Sequence, residues 1–253
     1  CKVHQPGEIE VSHLNFTYPV GNRILEDVSF TATPGQIIGI TGPVACGKST
    51  LGKAFLCEYP YEGSICFQNK ELREMEDRER TGIVGYLGHD PELFNDSVRN
   101  NILLGDDDDP EKYLKAVCFD GEVAEMEEGM DTIVGNGGVR LSGGQAQRLA
   151  LARTLCHKRP VLILDDPFSA LDRKTEKEVF ANLRKLTADS IVILLSHRLY
   201  LFPQMDQVLW MEDGKVTAGT HEQILEKFPE YARLYEAQAD GADAPVSYTH
   251  LRA

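Results

Sequence analysis

The stretch QIIGITGPVACGKST, residues 36–50, decides the fold. QIIGIT reads as a strand, and the GPVACGKS that follows it (42–49) fits GxxxxGK[ST] between a strand and a helix. Such a loop is built for phosphate. Its backbone N–H groups ring the oxygens, and the dipole of the following helix favours negative charge. The Lys48 ammonium reaches the β and γ phosphates, while the Ser49 hydroxyl ligates magnesium. Gly42, Pro43, Val44, Ala45, Cys46, Gly47, Lys48, Ser49 and Thr50 are therefore the candidate nucleotide-binding residues of this stretch. Cys46 is a tolerated small side chain in the loop and signals no redox chemistry.

A phosphate loop needs a second half, and VLILDDPFSALD (161–172) supplies it. VLILD and IVILL (191–195) are short, nearly all-apolar runs of the kind buried on both faces of a parallel sheet. Asp165 closes the first run, where a carboxylate can hold magnesium, usually through water. Asp166 follows directly, and Asp172 ends SALD. Between the two runs, RKTEKEVFANLRKL reads as an amphipathic helix with Val179, Leu183 and Leu186 on one side. Upstream, IEVSHLNF (9–16) alternates like a half-buried strand and VSFTAT gives another. Residues 90–158 read as mainly helical. VLWMEDGKVTAG is expected to form a hairpin through Asp213-Gly214, and 221–238 two short helices split at Pro229. Residues 106–109, all aspartate before Pro110, read as a solvated loop ending at a helix start. The plan is α/β, with ligands beyond the carboxyl ends of the central strands.

Composition narrows the partners. The chain has 253 residues, 42% of them apolar, enough to bury one large domain or two subdomains. A net charge of −14 and the lack of a concentrated basic patch argue against a nucleic-acid or anionic-membrane surface. Six cysteines without a CxxC pair or metal spacing read as free thiols of a reducing compartment. No apolar run approaches the roughly 20 residues of a membrane span, and no signal-peptide pattern opens the chain. Cys1 in place of methionine suggests an excised fragment. The tail, 239–253, lacks periodicity and reads as disordered or foreign sequence.

LSGGQAQRLALAR (141–153) settles the kind of nucleotide site. Ser142 can cap the helix that starts at the glycines, and the exposed amides there, with the hydroxyl, make an anion site without side-chain charge. At this point the chain resembles the nucleotide-binding domain of ATP-binding cassette transporters, whose signature is LSGGQ. The resemblance covers about residues 8–238, and the domain is taken as 1–238 with a helical subdomain at about 90–158. It implies a P-loop NTPase (RecA-like) core with an antiparallel β subdomain and a helical subdomain bearing the signature. It also implies ATP and Mg2+ as ligands, and a head-to-tail pair of domains in which ATP lies between one P-loop and the other signature. Ser142, Gly143, Gly144 and Gln145 would then serve the partner's site. Tyr18, in NFTYP, would stack on adenine, Asp172 would reach across the dimer, and His197, directly after IVILLS, would be the switch histidine near the γ phosphate. DPELFNDSVRNNI, the TxVGxxG pattern and GTHEQIL look like exporter domains fused behind a transmembrane half. That implies a transmembrane domain upstream in the same polypeptide and a place on the cytoplasmic face of the cell membrane. LFNDSVRNNI would lie where the coupling helices of the membrane part dock; its plainer reading is an amphipathic surface helix.

Three positions depart from the family pattern. Asp166 stands where the general base is usually Glu, so the carboxylate ends one methylene short, and a misplacement near 1 Å costs on the order of 100-fold in rate. His89, in YLGHDP, stands where the family has the glutamine that senses magnesium and the attacking water; an imidazole cannot copy an amide's paired geometry. Ile133 replaces the Glu common in TEVGxxG. Two of the three fall on one half-site while the signature is intact, which resembles the degenerate-site subunit of heterodimeric exporters. On that reading Asp166, His197 and His89 are the catalytic positions of a slow site, Ser49, Asp165 and His89 face the metal, and the partner domain carries an intact catalytic Glu. The alternatives are an ordinary homodimer in which Asp166 is an adequate base, and a regulatory module that clamps ATP without turnover. A soluble cassette ATPase of DNA repair or translation is disfavoured by the missing coiled coil, the single cassette and the acidic charge.

Overall fold

The two apolar runs and the strand before the phosphate loop lie side by side in a ten-stranded sheet. A computed structural model describes residues 7–20, 23–43, 48–168 and 170–240. In chain order the strands are β1 (Ile9–Thr17), β2 (Arg23–Ala32), β3 (Ile37–Thr41), β4 (Tyr61–Phe67), β5 (Lys70–Glu71), β6 (Val84–Leu87), β7 (Asp96–Ser97), β8 (Ile133–Val134), β9 (Val161–Asp165), β10 (Ile191–Leu195), β11 (Gln207–Glu212) and β12 (Lys215–Gly219). The large sheet runs β5-β4-β1-β2-β12-β11-β3-β10-β9-β6. Its β11-β3-β10-β9-β6 part is parallel, and β5-β4-β1-β2 is antiparallel. The expected hairpin joins β11 to β12 through Asp213 and Gly214, both at positive φ (52° and 77°), as a two-residue turn of this hand requires.

The helices are α1 (Lys48–Phe55), α2 (Asp77–Ile83), α3 (Val98–Leu103), α4 (Pro110–Ala116), α5 (Asp120–Ala124), α6 (Gly143–Cys156), α7 (Arg173–Leu186), α8 (His221–Lys227) and α9 (Pro229–Asp240). Local chemistry sets several of their starts. Helix α4 starts at Pro110, directly after the aspartate run as expected, and Asp109 caps it by accepting from the Glu111 N–H. Thr220 and Gln223 form a reciprocal capping box on α8. Helix α7 buries Val179, Phe180 and Leu183 along one face, with Leu186 packed at its margin.

Alternation along the central strands divides the interior in two. Ile38, Ile40, Ile163 and Ile193 point into a core shared with β1, β2, β4 and α1. Leu162, Leu164, Val192 and Leu194 point the other way, into a core built with α3, α4, α6, α7 and α9. Coverage on both faces is why VLIL and IVILL carry no polar residue. Gly39 is needed on the second face, because a Cβ there would lie 3.0 Å from the Phe202 ring and 3.1 Å from Met205. Residues 90–158 hold α3 to α6, but also the two-stranded β7–β8 pair, which their helical reading does not include. Helix α9 continues to Asp240, into the segment read as tail; residues 241–253 lie outside those described. Cys57, Cys118 and Cys156 are free thiols, whereas Cys66 is disulfide-bonded, a departure from free thiols throughout.

Candidate nucleotide site

Strand register brings the site together. Leu195 pairs with Ile40 of β3 on one side and with Asp165 of β9 on the other, so three central strands end level. The phosphate loop, the two aspartates and the residues after β10 therefore leave the sheet on one rim, where ligands of open α/β sheets bind. Val44, Ala45, Cys46 and Gly47 lie outside the described residues, as does Ser169 of SALD. Of the remaining loop residues, Lys48 folds back so that its Nζ donates to the Gly42 carbonyl at 3.3 Å. Ser49 Oγ donates to Asp165 Oδ2 at 3.1 Å. Tyr86 OH approaches the same oxygen at 3.4 Å, and its phenol is pushed up to about 12 by burial and then by the Asp165 charge.

Asp166 sits in left-handed backbone, φ 48°, which Asp tolerates better than most residues. Its N–H donates to the Leu195 carbonyl and its carbonyl accepts from Gln147 Nε2, both at 2.8 Å. The main chain is thus pinned by β10 and α6 together. Burial raises the pKa of the Asp166 carboxyl, opposed by the charges of His89 and Arg198. His89 Nδ1 lies 3.9 Å from Asp166 Oδ2, with its side chain 60% exposed. His197 is exposed on the same rim; partial desolvation and the Lys48 ammonium hold its imidazole below the ordinary value.

Tyr18 stands just beyond β1, half-buried, with its OH 3.2 Å from Thr50 Oγ1 in the helix after the phosphate loop. Phe16 and Tyr59 meet its ring edge to face at 5.1 and 5.4 Å. Tyr18→Ala is expected to weaken ATP by roughly 1–3 kcal/mol if the base stacks as bases do on aromatic residues elsewhere. Calorimetry with ATP and with a ribose triphosphate lacking the base checks this; equal losses for both would mean a disturbed fold in place of a lost stack.

The signature residues lie at the start of α6. Ser142 Oγ accepts from the Gln145 N–H, and Gln145 Oε1 accepts from the Ser142 N–H, closing a capping box. Ser142 and Gly143 are exposed. Gly144 has a different job, because a Cβ there would come within 3.1 Å of Ala170 in the SALD loop. Asp172, exposed, caps α7 by accepting from the Thr175 N–H and hydroxyl at 2.9 and 2.6 Å, and these bonds lower its pKa.

Several site-supporting residues escape a sequence reading. Gln147 and Tyr86 are two, holding Asp166 and Asp165 from distant elements. A third is Glu176 of α7, 0% exposed, which accepts from Tyr200 OH and from Arg198 Nη1 at 3.1 Å. Its other oxygen, Oε1, has no hydrogen-bond partner. Burial outweighs the Tyr200 bond and the Arg198 charge, moving the carboxyl from an ordinary 4.5 up to about 7. A raised folded pKa stabilises fully below the unfolded value, and that stability is lost as pH rises through the folded one. Wild type is therefore expected to lose up to about 3 kcal/mol between pH 4.5 and 7 relative to Glu176→Gln. Urea midpoints of both chains across that range check the sign; parallel curves would refute it.

Ser49 and Asp165 present hard oxygen donors of the kind magnesium takes. Bound there, the ion would neutralise charge developing on the phosphates. Among the described residues no group of three or more His, Cys, Asp or Glu side chains forms a separate metal site. A magnesium ion held by one or two side chains and by substrate phosphates needs none.

Comparison with known proteins bears on all of this. The pattern of the family described as ABC transporter matches residues 25–169. The chain is 37% identical over 241 residues to the probable multidrug resistance ABC transporter ATP-binding/permease protein YheI of Bacillus subtilis (strain 168), covering 92% of this chain and 41% of that protein. It is 37% identical over 240 residues to the ATP-dependent lipid A-core flippase of Burkholderia pseudomallei (strain 1710b), covering 92% and 40%. Among solved structures, a bacterial Atm1-family ABC exporter with ATP bound superposes with a TM-score of 0.85 at 30% identity, over 94% of this chain and 43% of that one. The chain spans about two fifths of the length of these relatives.

Proposed function

The chain belongs to the ABC transporter family, and from that premise we propose that it is the ATP-binding and ATP-hydrolysing domain of an exporter, coupling ATP-driven closure of a domain pair to transport. The observation that carries the proposal is the Ser49–Asp165 contact, which joins the phosphate loop to the β9 carboxylate, with Lys48, Asp166 and His197 on the same rim. In the chemistry proposed, Lys48 and the loop amides bind the phosphates, Asp165 and Ser49 orient the metal, and Asp166 positions or deprotonates the attacking water. His197 donates to the γ phosphate as charge builds there. The exposed Ser142 and Gly143 at the start of α6 would complete a partner's site.

Among the described residues no helix is long and apolar enough to cross a membrane. Attachment to the cytoplasmic face of the membrane, through a transmembrane half in the same polypeptide, is therefore part of the proposal. It is supported by relatives named as permease and flippase. Phe94, Ile133 and Val139 are 58%, 45% and 50% exposed. Apolar side chains left in solvent suit the docking of a membrane half.

The finer reading is that this chain bears the weakly hydrolytic site of a heterodimer. It rests on Asp166 and His89, two departures now seen 3.9 Å apart. Binding of magnesium-ATP followed by single-turnover hydrolysis at this chain's own site separates the readings. Binding with slow turnover favours the degenerate half, and ordinary turnover in a self-associated pair favours the homodimer. Binding without any turnover favours a regulatory clamp. No binding would remove them all.

A further inference from the structure

We propose that Gln238, on the C-terminal helix α9, is a positioning residue for His197. The inference rests on the reading of His197 as the group beside the γ phosphate. Gln238 Nε2 donates to the His197 carbonyl at 2.7 Å, and Gln238 Oε1 accepts from the Leu199 N–H at 2.8 Å. One side-chain amide thus takes both main-chain groups flanking Arg198, as a neighbouring strand would. This is where such a clamp is needed, because the last bond to the sheet is from the Ser196 N–H to the Ile40 carbonyl at 3.1 Å, and beyond it His197 lies in a bend. The segment is braced from the other side as well. The Arg198 N–H donates to Ser196 Oγ at 3.0 Å, while its guanidinium reaches Glu176 Oε2 at 3.1 Å and the Leu171 carbonyl of the SALD loop at 3.5 Å. Arg173, next to Asp172, donates to the Gln238 carbonyl at 3.0 Å.

Helix α9 has its own anchorage apart from Gln238. Tyr231 is fully buried, 5.5 Å from the Trp210 ring, and its OH lies 2.7 Å from His221 Nδ1. Loss of the Gln238 amide therefore removes one brace of the His197 loop without releasing the helix. An imidazole carried on a loosened loop drifts, and a displacement near 1 Å costs on the order of 100-fold in rate.

The test uses Gln238→Met, which keeps the length and apolar stem but neither polar atom, and Gln238→Glu, which keeps the acceptor for Leu199 and turns an oxygen toward the His197 carbonyl. The first readout is NMR of the histidine side chains in the nucleotide-free chain. In both variants the His197 signals are expected to move as the loop opens to water. His221 signals report whether α9 stays docked; if they move in Gln238→Met, Gln238→Glu is read in its place. The second readout is single-turnover hydrolysis at this chain's own site, expected to fall about tenfold or more with ATP affinity changed less than about twofold. Unmoved His197 signals and an unchanged rate would overturn the proposal, leaving α9 as cover for the sheet. A chain that binds no ATP would instead overturn the functional reading, because the imidazole readout needs no nucleotide.

Discussion

Lys48→Ala is expected to weaken magnesium-ATP binding by about 10- to 100-fold. The ammonium is the side-chain cation of the phosphate loop, and hydrogen bonds to charged groups contribute about 1.5–3 kcal/mol each. Lys48 Nζ donates to the Gly42 carbonyl at 3.3 Å, which sets the ammonium beside the first glycine of the GPVACGKS stretch. Lys48→Arg should recover part of the loss, since a planar guanidinium keeps the charge but not the compact point donor. Calorimetric affinity, with thermal stability as a control for folding, checks this. Unchanged affinity would remove the phosphate-loop assignment.

Asp166→Glu is expected to raise turnover at this chain's site by about tenfold or more, over 1 kcal/mol of transition-state stabilisation. The added methylene carries the carboxylate outward from a main chain that β10 and α6 hold still, so the gain in reach is not absorbed by the backbone. On the degenerate-site reading, His89, 3.9 Å from the Asp166 carboxylate, is a second departure in the same place and can hide the gain. The test therefore compares Asp166→Glu with and without His89→Gln, assayed with a partner whose own catalytic Glu is disabled. Some stability should be lost, because position 166 lies at positive φ, where Asp is better tolerated than Glu. If unmodified Asp166 already turns over as fast as the repaired site, it is an ordinary catalyst and the degenerate reading fails.

The sequence displays the central sheet and the phosphate loop because their signals are local. VLILD and IVILL announce burial on both faces, and GPVACGKS needs only its own glycines and lysine. Capping of α6 by Ser142 and the start of α4 after the aspartate run are legible for the same reason. The β7–β8 pair is not, because each strand has two residues and their pairing spans the whole of α3 to α5. Gln147, Glu176 and Gln238 are also hidden. Each looks like an ordinary helix residue until folding brings its head group to a strand end or loop far along the chain. The pattern of a helix shows which face is buried, but not that one polar group on that face holds the main chain of a candidate site residue.

Helix α6 touches two places that the proposed dimer would use for two different nucleotides. Its first turn presents Ser142 and Gly143 outward, and Gln147, one turn on, grips the Asp166 carbonyl. A rigid helix cannot answer to one end alone. Whatever free energy a phosphate bound at the Ser142 end spends in favouring one orientation of α6 is felt at Asp166, and linkage requires that a ligand favouring one setting of Asp166 alter the affinity at the Ser142 end by the same factor. Each chain of such a pair would be a thermodynamic conductor between the two sites, even where it is a poor catalyst at its own.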